Sequence, residues 1–316
     1  MTEQQGTHVV LGGGGGLGQA VVRALAAQGR PVRAVNRSGR MAVPAGVEVR
    51  TGDALDPAVM RDVCRDAAVV YHCVNAPYTK WPEMCPPIME AVLEATAAAA
   101  AVLVYGDNLY MYGPVDGPIH EKRPAMADGR KGKIRGRVAE TVLNAHRAGQ
   151  VRAVIGRASD FYGPGVTNSA MGQRVFEPAI TGRGTINVLG NLDVPHTLTY
   201  IDDVAAALIT LGQTEEAWGE VWHAPNAEAL TIRQFLDLVF EETERTAKVR
   251  AAPRFLITLM GLFNPMMREL KEMLYTWEEP YIVDHSKYAA AFGAEPTPHR
   301  EAVRRTVEWF RHYLAK

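Results

Sequence analysis

The chain has 316 residues, 47% hydrophobic and 22% charged, a composition that suits about two folded domains and excludes a disordered chain. With 34 Lys and Arg against 35 Asp and Glu, the formal net charge is −1, so no overall basic field exists to recruit nucleic acid or anionic lipid. No apolar run approaches the ~18 residues of a membrane span. The opening Met-Thr-Glu-Gln-Gln lacks the basic and apolar regions of a signal peptide, and Cys64, Cys73 and Cys85 fit neither a disulfide framework nor a zinc spacing. A cytoplasmic protein without a metal site is expected.

In chain order, Val9-Val10-Leu11 reads as a buried strand, followed by a helix from Leu17 to Ala27 that stops at Gly29. Pro31–Val35 and Val47–Arg50 are further strands. Asp56-Pro57 sets an N-cap and first position for the next helix. Val69–Val74, Val102–Tyr105 and Arg152–Ile155 continue the strands, separated by helices over about Pro86–Ala99 and Ile134–Ala148. Apolar strands alternating with helices predict a doubly wound α/β fold, a parallel sheet covered on both faces. After about Asp160 glycines and prolines break the rhythm. One strand–helix pair recurs near Tyr200–Leu211 and Val221–His223, and Thr231 with Gln234 forms a capping box for a helix to about Glu244. The expected organisation is a dinucleotide-binding domain over residues 1–160, joined again by 197–225. A smaller, mostly helical substrate domain is expected over 161–196 and 226–316.

The first strand runs into Leu11-Gly12-Gly13-Gly14-Gly15-Gly16-Leu17-Gly18 just before a helix. Gly12, Gly15 and Gly18 provide the tight turn, the close approach to pyrophosphate and the helix–strand contact of a dinucleotide turn. Gly16, Leu17 and Gly18 would offer free amides at the positive end of the helix. The second strand ends Val35-Asn36-Arg37-Ser38. A carboxylate there would bond the ribose 2′-hydroxyl and repel a 2′-phosphate. Neutral Asn36, cationic Arg37 and the Ser38 hydroxyl favour NADP over NAD instead.

These features resemble the short-chain dehydrogenase/reductase superfamily, in its extended, epimerase/dehydratase-like branch. The resemblance spans nearly the whole chain. Gly52-Asp53-Ala54 is similar to the family's pair whose carboxylate meets the adenine amino group. Val74-Asn75-Ala76 follows the strand that passes the nicotinamide ribose. Met111-Tyr112-Gly113 is similar to its Val-Tyr-Gly landmark, and Gly156–Gly165, including Ala158, to the segment along the nicotinamide. Thr199–Ala205 resembles a later strand-to-helix signature, and Asp284–Trp309 the tail of that branch. The resemblance implies a Rossmann fold and an NAD(P)-dependent activity.

The family's catalytic centre is absent. It uses a Ser or Thr, then a Tyr and, four residues on, a Lys that lowers the phenol pKa. Matched to the landmarks, these positions hold Asn108, Gly132 and Gly136. Asp160 stands where the family often has an Asn that serves nucleotide sugars. Lys133 and Arg137 share one helix face beside the vacated positions, and Lys131 and Arg135 share the next face round. A lysine crowded by arginines could exchange a proton, or the cations could bind ribose hydroxyls or an acidic substrate. Asn108 could polarise a carbonyl, and Tyr110 is the nearest phenol. Tyr78, Tyr112 and Tyr162 are read as packed side chains, His72 as a core histidine and Asp202 as an N-cap.

The greasy run Arg254–Met267 is expected in the core, with an apolar substrate pocket or a homodimer seam as its other uses. The expected activity is hydride transfer between NADP and a small, apolar carbonyl compound. Asn108 would polarise the oxygen, and Lys133, Lys131 or Tyr110 would handle the proton. The alternatives are an epimerase, dehydratase or lyase that recycles its cofactor, and a non-catalytic NADP(H) sensor.

Overall fold

The computed structural model describes residues 6–252 and 254–315. The opening pentapeptide read above lies outside them.

Seven parallel strands form the central sheet. They are β1 (Thr7–Leu11), β2 (Val32–Asn36), β3 (Glu48–Thr51), β4 (Ala67–His72), β5 (Val102–Asp107), β6 (Arg152–Arg157) and, much later in the chain, β11 (Val221–His223). Their spatial order is β3-β2-β1-β4-β5-β6-β11, with every neighbouring pair parallel. Val10 pairs with Ala34 on one side and Tyr71 on the other. The order therefore reverses between β1 and β4, and a crevice opens at the carboxyl ends there.

Helices α1 (Gly16–Ala27), α2 (Pro57–Cys64), α3 (Trp81–Ala98) and α4 (Arg130–Arg147) supply the crossovers. α2, α3 and α4 bury Met60, Val92 and Val142 against one face of the sheet. α1 and α6 (Ile201–Gln213) bury Val21, Leu25, Val204 and Leu208 against the other. Both faces are dry, as apolar runs without alternation require.

The remaining elements build a third core. α5 (Gln173–Thr181), α7 (Ile232–Thr243) and α12 (His299–Leu314) enclose Phe176, Phe235 and Phe310. Short pairings stitch this part together: β7 (Phe161–Tyr162) with β10 (Thr199–Tyr200), β9 (Pro195–His196) with β12 (Leu230–Thr231), and β8 (Thr185–Leu189) with β13 (Lys248–Ala252). α8 (Arg254–Met260), α9 (Pro265–Glu272) and α10 (Tyr275–Glu278) follow. α11 (Ser286–Phe292) departs from the expected organisation, since Tyr288 packs with the sheet cluster rather than the third core.

Local signals explain most boundaries. Asp56 accepts hydrogen bonds from the Ala58 and Val59 amides and starts α2, and Thr231 with Gln234 forms the capping box of α7. α3 differs, starting at Trp81 and running through Pro86 and Pro87. The missing N–H groups of those prolines cost hydrogen bonds, against which the helix buries Trp81, Ile88 and Met89. Asp202 is not an N-cap. It lies in the first turn of α6, paired with Arg23 at 2.8 Å and accepting from the Tyr200 hydroxyl. The run 254–267 is not core either: Ile257 is buried, but Phe255, Leu259, Leu262, Phe263 and Met266 are exposed.

Candidate active site

The glycine turn is shaped for a dinucleotide. Gly12 has φ +81°, and a Cβ on it would lie 2.7 Å from the Cys73 carbonyl oxygen. A Cβ on Gly18 would land on the Gly12 carbonyl, and Gly16 faces Val166 so closely that a Cβ would sit 3.1 Å from it. The Gly15 amide closes the turn by donating to the Gly12 carbonyl. The amides of Gly14, Gly16, Leu17 and Gly18 have no acceptor among the described residues. Unpaired donors at a helix start suit an anion, so these residues fit the pyrophosphate of a dinucleotide.

At the end of β2, the Asn36 side chain is consumed locally. Its Oδ1 accepts from the Gly39 amide and the Ser38 hydroxyl, and its Nδ2 donates to the Arg40 carbonyl. Ser38 is engaged in the same turn, against the expectation of a spare donor. Arg37 is exposed with no side-chain partner among the described residues. Asp53 is exposed and accepts from the Leu55 amide, and Ala54 beside it is buried.

The cations of α4 sort sharply by face. Lys133 and Arg137 are exposed, so the pair expected at the site points to solvent. Lys131 and Arg135 are buried. Lys131 pairs with Glu269 of α9 at 2.8 Å, donates to the Tyr78 carbonyl, and lies 4.3 Å above the Tyr78 ring. Basic residues at a helix start oppose the helix dipole. Here α9 offsets them, because Glu272 accepts from the Lys131 amide at 2.6 Å and so caps α4 from another helix. Gly129, the N-cap, leaves room for that carboxylate: a Cβ there would lie 2.6 Å from Glu272 Cγ.

Arg135 enters a buried charge network that the sequence reading did not identify. Asp107, whose side chain is fully buried, accepts from Arg157 Nε at 3.2 Å and from the Tyr105 hydroxyl at 3.1 Å, and faces Arg135 Nη1 at 3.5 Å. Arg135 also donates to Tyr105 and to Asn75 Oδ1, and its guanidinium lies 4.1 Å from the Trp81 ring centre. Arg157 donates to the Tyr112 hydroxyl. That hydroxyl in turn meets His223 Nε2, while His223 Nδ1 faces the Asp284 carbonyl. Tyr112 is therefore a structural strut. His72 is the core histidine expected of it, buried, stacked on Tyr105 and pushed down to about 3 by desolvation.

Above this network the exits of β4, β5 and β6 converge. Val74, Asn75 and Ala76 leave β4, and the Trp81 indole donates back to the Ala76 carbonyl. Ala158 is buried at the end of β6, with its amide bonded to the Asp107 carbonyl. Asn108 Oδ1 accepts from the Tyr110 amide, which fixes the side-chain amide and leaves Nδ2 without an acceptor among the described residues. Tyr110 stacks on Trp81, and Tyr78 meets Trp81 edge-on. Burial pushes both phenols up, Tyr110 most strongly. Both phenols therefore hold their protons more tightly than a free tyrosine does.

Beside them stands a pairing the sequence reading did not identify, although it singled out Asp160: Asp160 Oδ2 lies 3.2 Å from His196 Nε2. The His196 ring is clamped between Trp277 and Tyr281. The signal for Arg135 was present in the sequence: Lys131, Arg135, Val138 and Val142 continue one stripe at helical spacing, and the apolar end of that stripe marks the buried face. Asp160 and His196 carry no such local signal.

The sequence profile of the NAD dependent epimerase/dehydratase family matches residues 8–223. Among curated proteins, none matches the sequence. Solved structures that superpose on the chain include the epimerase Mth375 from Methanothermobacter thermautotrophicus, at 19% identity and TM-score 0.81 over 98% of this chain and 93% of that one. UDP-glucuronic acid 4-epimerase from Bacillus cereus, in complex with NAD, gives 15% identity and 0.78 over 98% of both chains. dTDP-glucose 4,6-dehydratase from Bacillus anthracis, in complex with NAD, gives 14% and 0.78 over 97% and 96%. At such identities the likeness speaks for the fold. The profile match spans most of the chain, and the reversal between β1 and β4 carries the glycine cradle that such a fold uses: this chain belongs to the NAD-dependent epimerase/dehydratase family.

Proposed function

We propose that the protein is an NADP-dependent oxidoreductase acting on a small, uncharged, apolar carbonyl compound. One observation carries this reading. The cations that reach the carboxyl ends of the strands are buried and engaged inside the protein: Lys131 with Glu269, and Arg135 and Arg157 together with Asp107, which offsets one of their two charges. Each of the three is committed to partners within the protein and none is exposed to grip an anionic substrate. The wall is aromatic, from Tyr78, Trp81 and Tyr110, which suits an apolar molecule.

Gly12–Gly18 would hold the pyrophosphate, with Asp53, Ala54, Val74, Asn75, Ala76 and Ala158 along the adenosine and nicotinamide halves. Arg37 would take the 2′-phosphate, through charge-assisted bonds worth roughly 1.5–3 kcal/mol. A bound nicotinamide supplies the hydride. Asn108 Nδ2, held by the Tyr110 amide through Oδ1, donates to the substrate oxygen and stabilises the charge that develops on it. The neutral Tyr110 and Tyr78 hydroxyls orient the same oxygen.

Incubation of the enzyme with NADPH and a panel of small carbonyls tests this reading. Stoichiometric oxidation of NADPH is expected with at least one apolar ketone, aldehyde or enone. The family and its epimerase and dehydratase neighbours favour a second reading, an isomerase or lyase that regenerates its cofactor each cycle. Substrate conversion with no net consumption of NADPH would select it. Binding of both redox forms with no conversion of any compound would favour a sensor.

A further inference from the structure

The proposed hydride transfer leaves a proton to be supplied. Lys133 faces solvent, Lys131 is tied to Glu269, and burial pushes the Tyr110 phenol up, which makes it a weaker acid than a free tyrosine. We infer that the Asp160–His196 pair is the proton donor, occupying the role that a lysine-activated phenol has elsewhere in this fold.

The hydrogen bonds of His196 fix its protonation. Nδ1 lies 2.8 Å from the Thr276 carbonyl oxygen, and a carbonyl only accepts, so Nδ1 carries hydrogen. Nε2 faces Asp160 Oδ2 at 3.2 Å. An unprotonated nitrogen and an ionised oxygen at that separation would repel, so one further proton resides between them, on the ring or on the carboxyl group.

The surroundings keep the proton in place and aim it. His196 is 1% exposed, stacked 4.2 Å from Trp277 and 5.3 Å from Tyr281, and its ring cannot rotate away. Asp160 is on the wetter side, with 19% of its side chain exposed. Its other oxygen takes no hydrogen bond among the described residues. Its charge is felt by the phenols of Tyr78, Tyr110, Tyr275 and Tyr281, each of which it helps to push up. Asp160 follows β6 and Asn108 follows β5, adjacent strands, so the donor carboxyl and the oxygen-binding amide belong to one crevice edge.

In the proposed step, hydride bonds to the carbonyl carbon as the C=O π bond breaks. The electron pair left on oxygen takes the proton from Asp160, giving an alcohol. His196 returns a proton from Nε2 to the carboxylate where the ring held it, and solvent restores the pair. The substrate is reduced by two electrons and the dihydronicotinamide oxidised by two. This step rests on the oxidoreductase reading, whereas the shared proton does not.

The test has two arms. In the first, ¹⁵N-labelled histidine is followed by NMR at pH 7 in the full-length protein without substrate. His196 is expected to show a protonated Nδ1 and an Nε2 that exchanges or shares a proton with the carboxyl, a signature lost in Asp160→Asn. An Nε2 resonance typical of a free lone pair, unchanged in that variant, overturns the inference. In the second arm, Asp160→Asn, which keeps the side-chain shape, is expected to lower kcat by about 10²–10⁴-fold, with the Kd for NADPH within about twofold of the wild type. His196→Gln should follow it. Turnover within threefold of wild type in Asp160→Asn overturns the catalytic role. Absence of turnover in the wild-type enzyme overturns the oxidoreductase reading and this step with it, while the NMR arm still decides the shared proton.

Discussion

Replacing Asp107 with asparagine should be among the most damaging single changes in the sheet. The carboxylate is fully buried and is the only anion touching Arg135 and Arg157 among the described residues. Asparagine keeps the shape and one acceptor oxygen, but it removes the charge and turns an NH₂ group toward a guanidinium. Two buried cations then share no counter-ion. Breaking a buried pair from one side costs about 3–5 kcal/mol. At roughly 1.5 °C per kcal/mol for a chain of this size, Tm should fall by about 4–8 °C. Urea unfolding of both proteins, at one pH and with matched m-values, measures the difference directly. A loss under about 1 kcal/mol would refute the assignment of Asp107 as the shared counter-ion of the two guanidinium groups.

Other perturbations separate the remaining claims. Arg37→Asp should weaken NADPH binding by about 10- to 100-fold and shift preference toward NADH, measured by calorimetry with each dinucleotide; an unchanged preference removes Arg37 from the cofactor site. Lys131→Met should lower stability by about 2–4 kcal/mol because it leaves the largely buried Glu269 with only the exposed Arg130 at 3.6 Å, whereas Lys133→Met should stay within about 0.5 kcal/mol, a contrast that chemical denaturation can read. Gly18→Ala, whose methyl would meet the Gly12 carbonyl, should cost at least tenfold in dinucleotide affinity by calorimetry. His8, His72 and His223 are pushed down to about 4, 3 and 4, chiefly by desolvation. Their folded values lie below the unfolded 6.5, so the unfolded chain binds more protons in acid. Stability should be full above about pH 6.5 and fall as pH drops toward 4, by up to about 1.4 kcal/mol per pH unit for each ring. A flat urea midpoint between pH 6.5 and 4.5 would contradict this.

What the sequence disclosed follows from how local each signal is. The glycine turn, the Asp56 cap and the Thr231–Gln234 box are set by residues within a few positions of one another, and each stands where it was expected. The basic turn of α4 shows where this fails. Lys131, Lys133, Arg135 and Arg137 look equivalent in a string of letters, and charge alone favours the exposed pair as well as the buried one. Only the apolar stripe through Val138 and Val142 says which face turns inward. Pro86-Pro87 misled in the same way, because the burial of Trp81 five residues earlier outweighs a propensity rule. Asp160 and His196 are 36 residues apart, and Lys131 and Glu269 still further. Contacts across such separations are settled by packing and leave no mark in spacing.

Gly132, the position that the resemblance matches to the family's tyrosine, has no room above it. Any Cβ at that position would overlap the Ala127 methyl and come within 2.5 Å of the Tyr110 carbonyl oxygen. A tyrosine at this position would therefore require the 125–127 loop and the turn after β5 to retreat. A graft of tyrosine and lysine onto this helix should give a destabilised protein before it gives a working phenol.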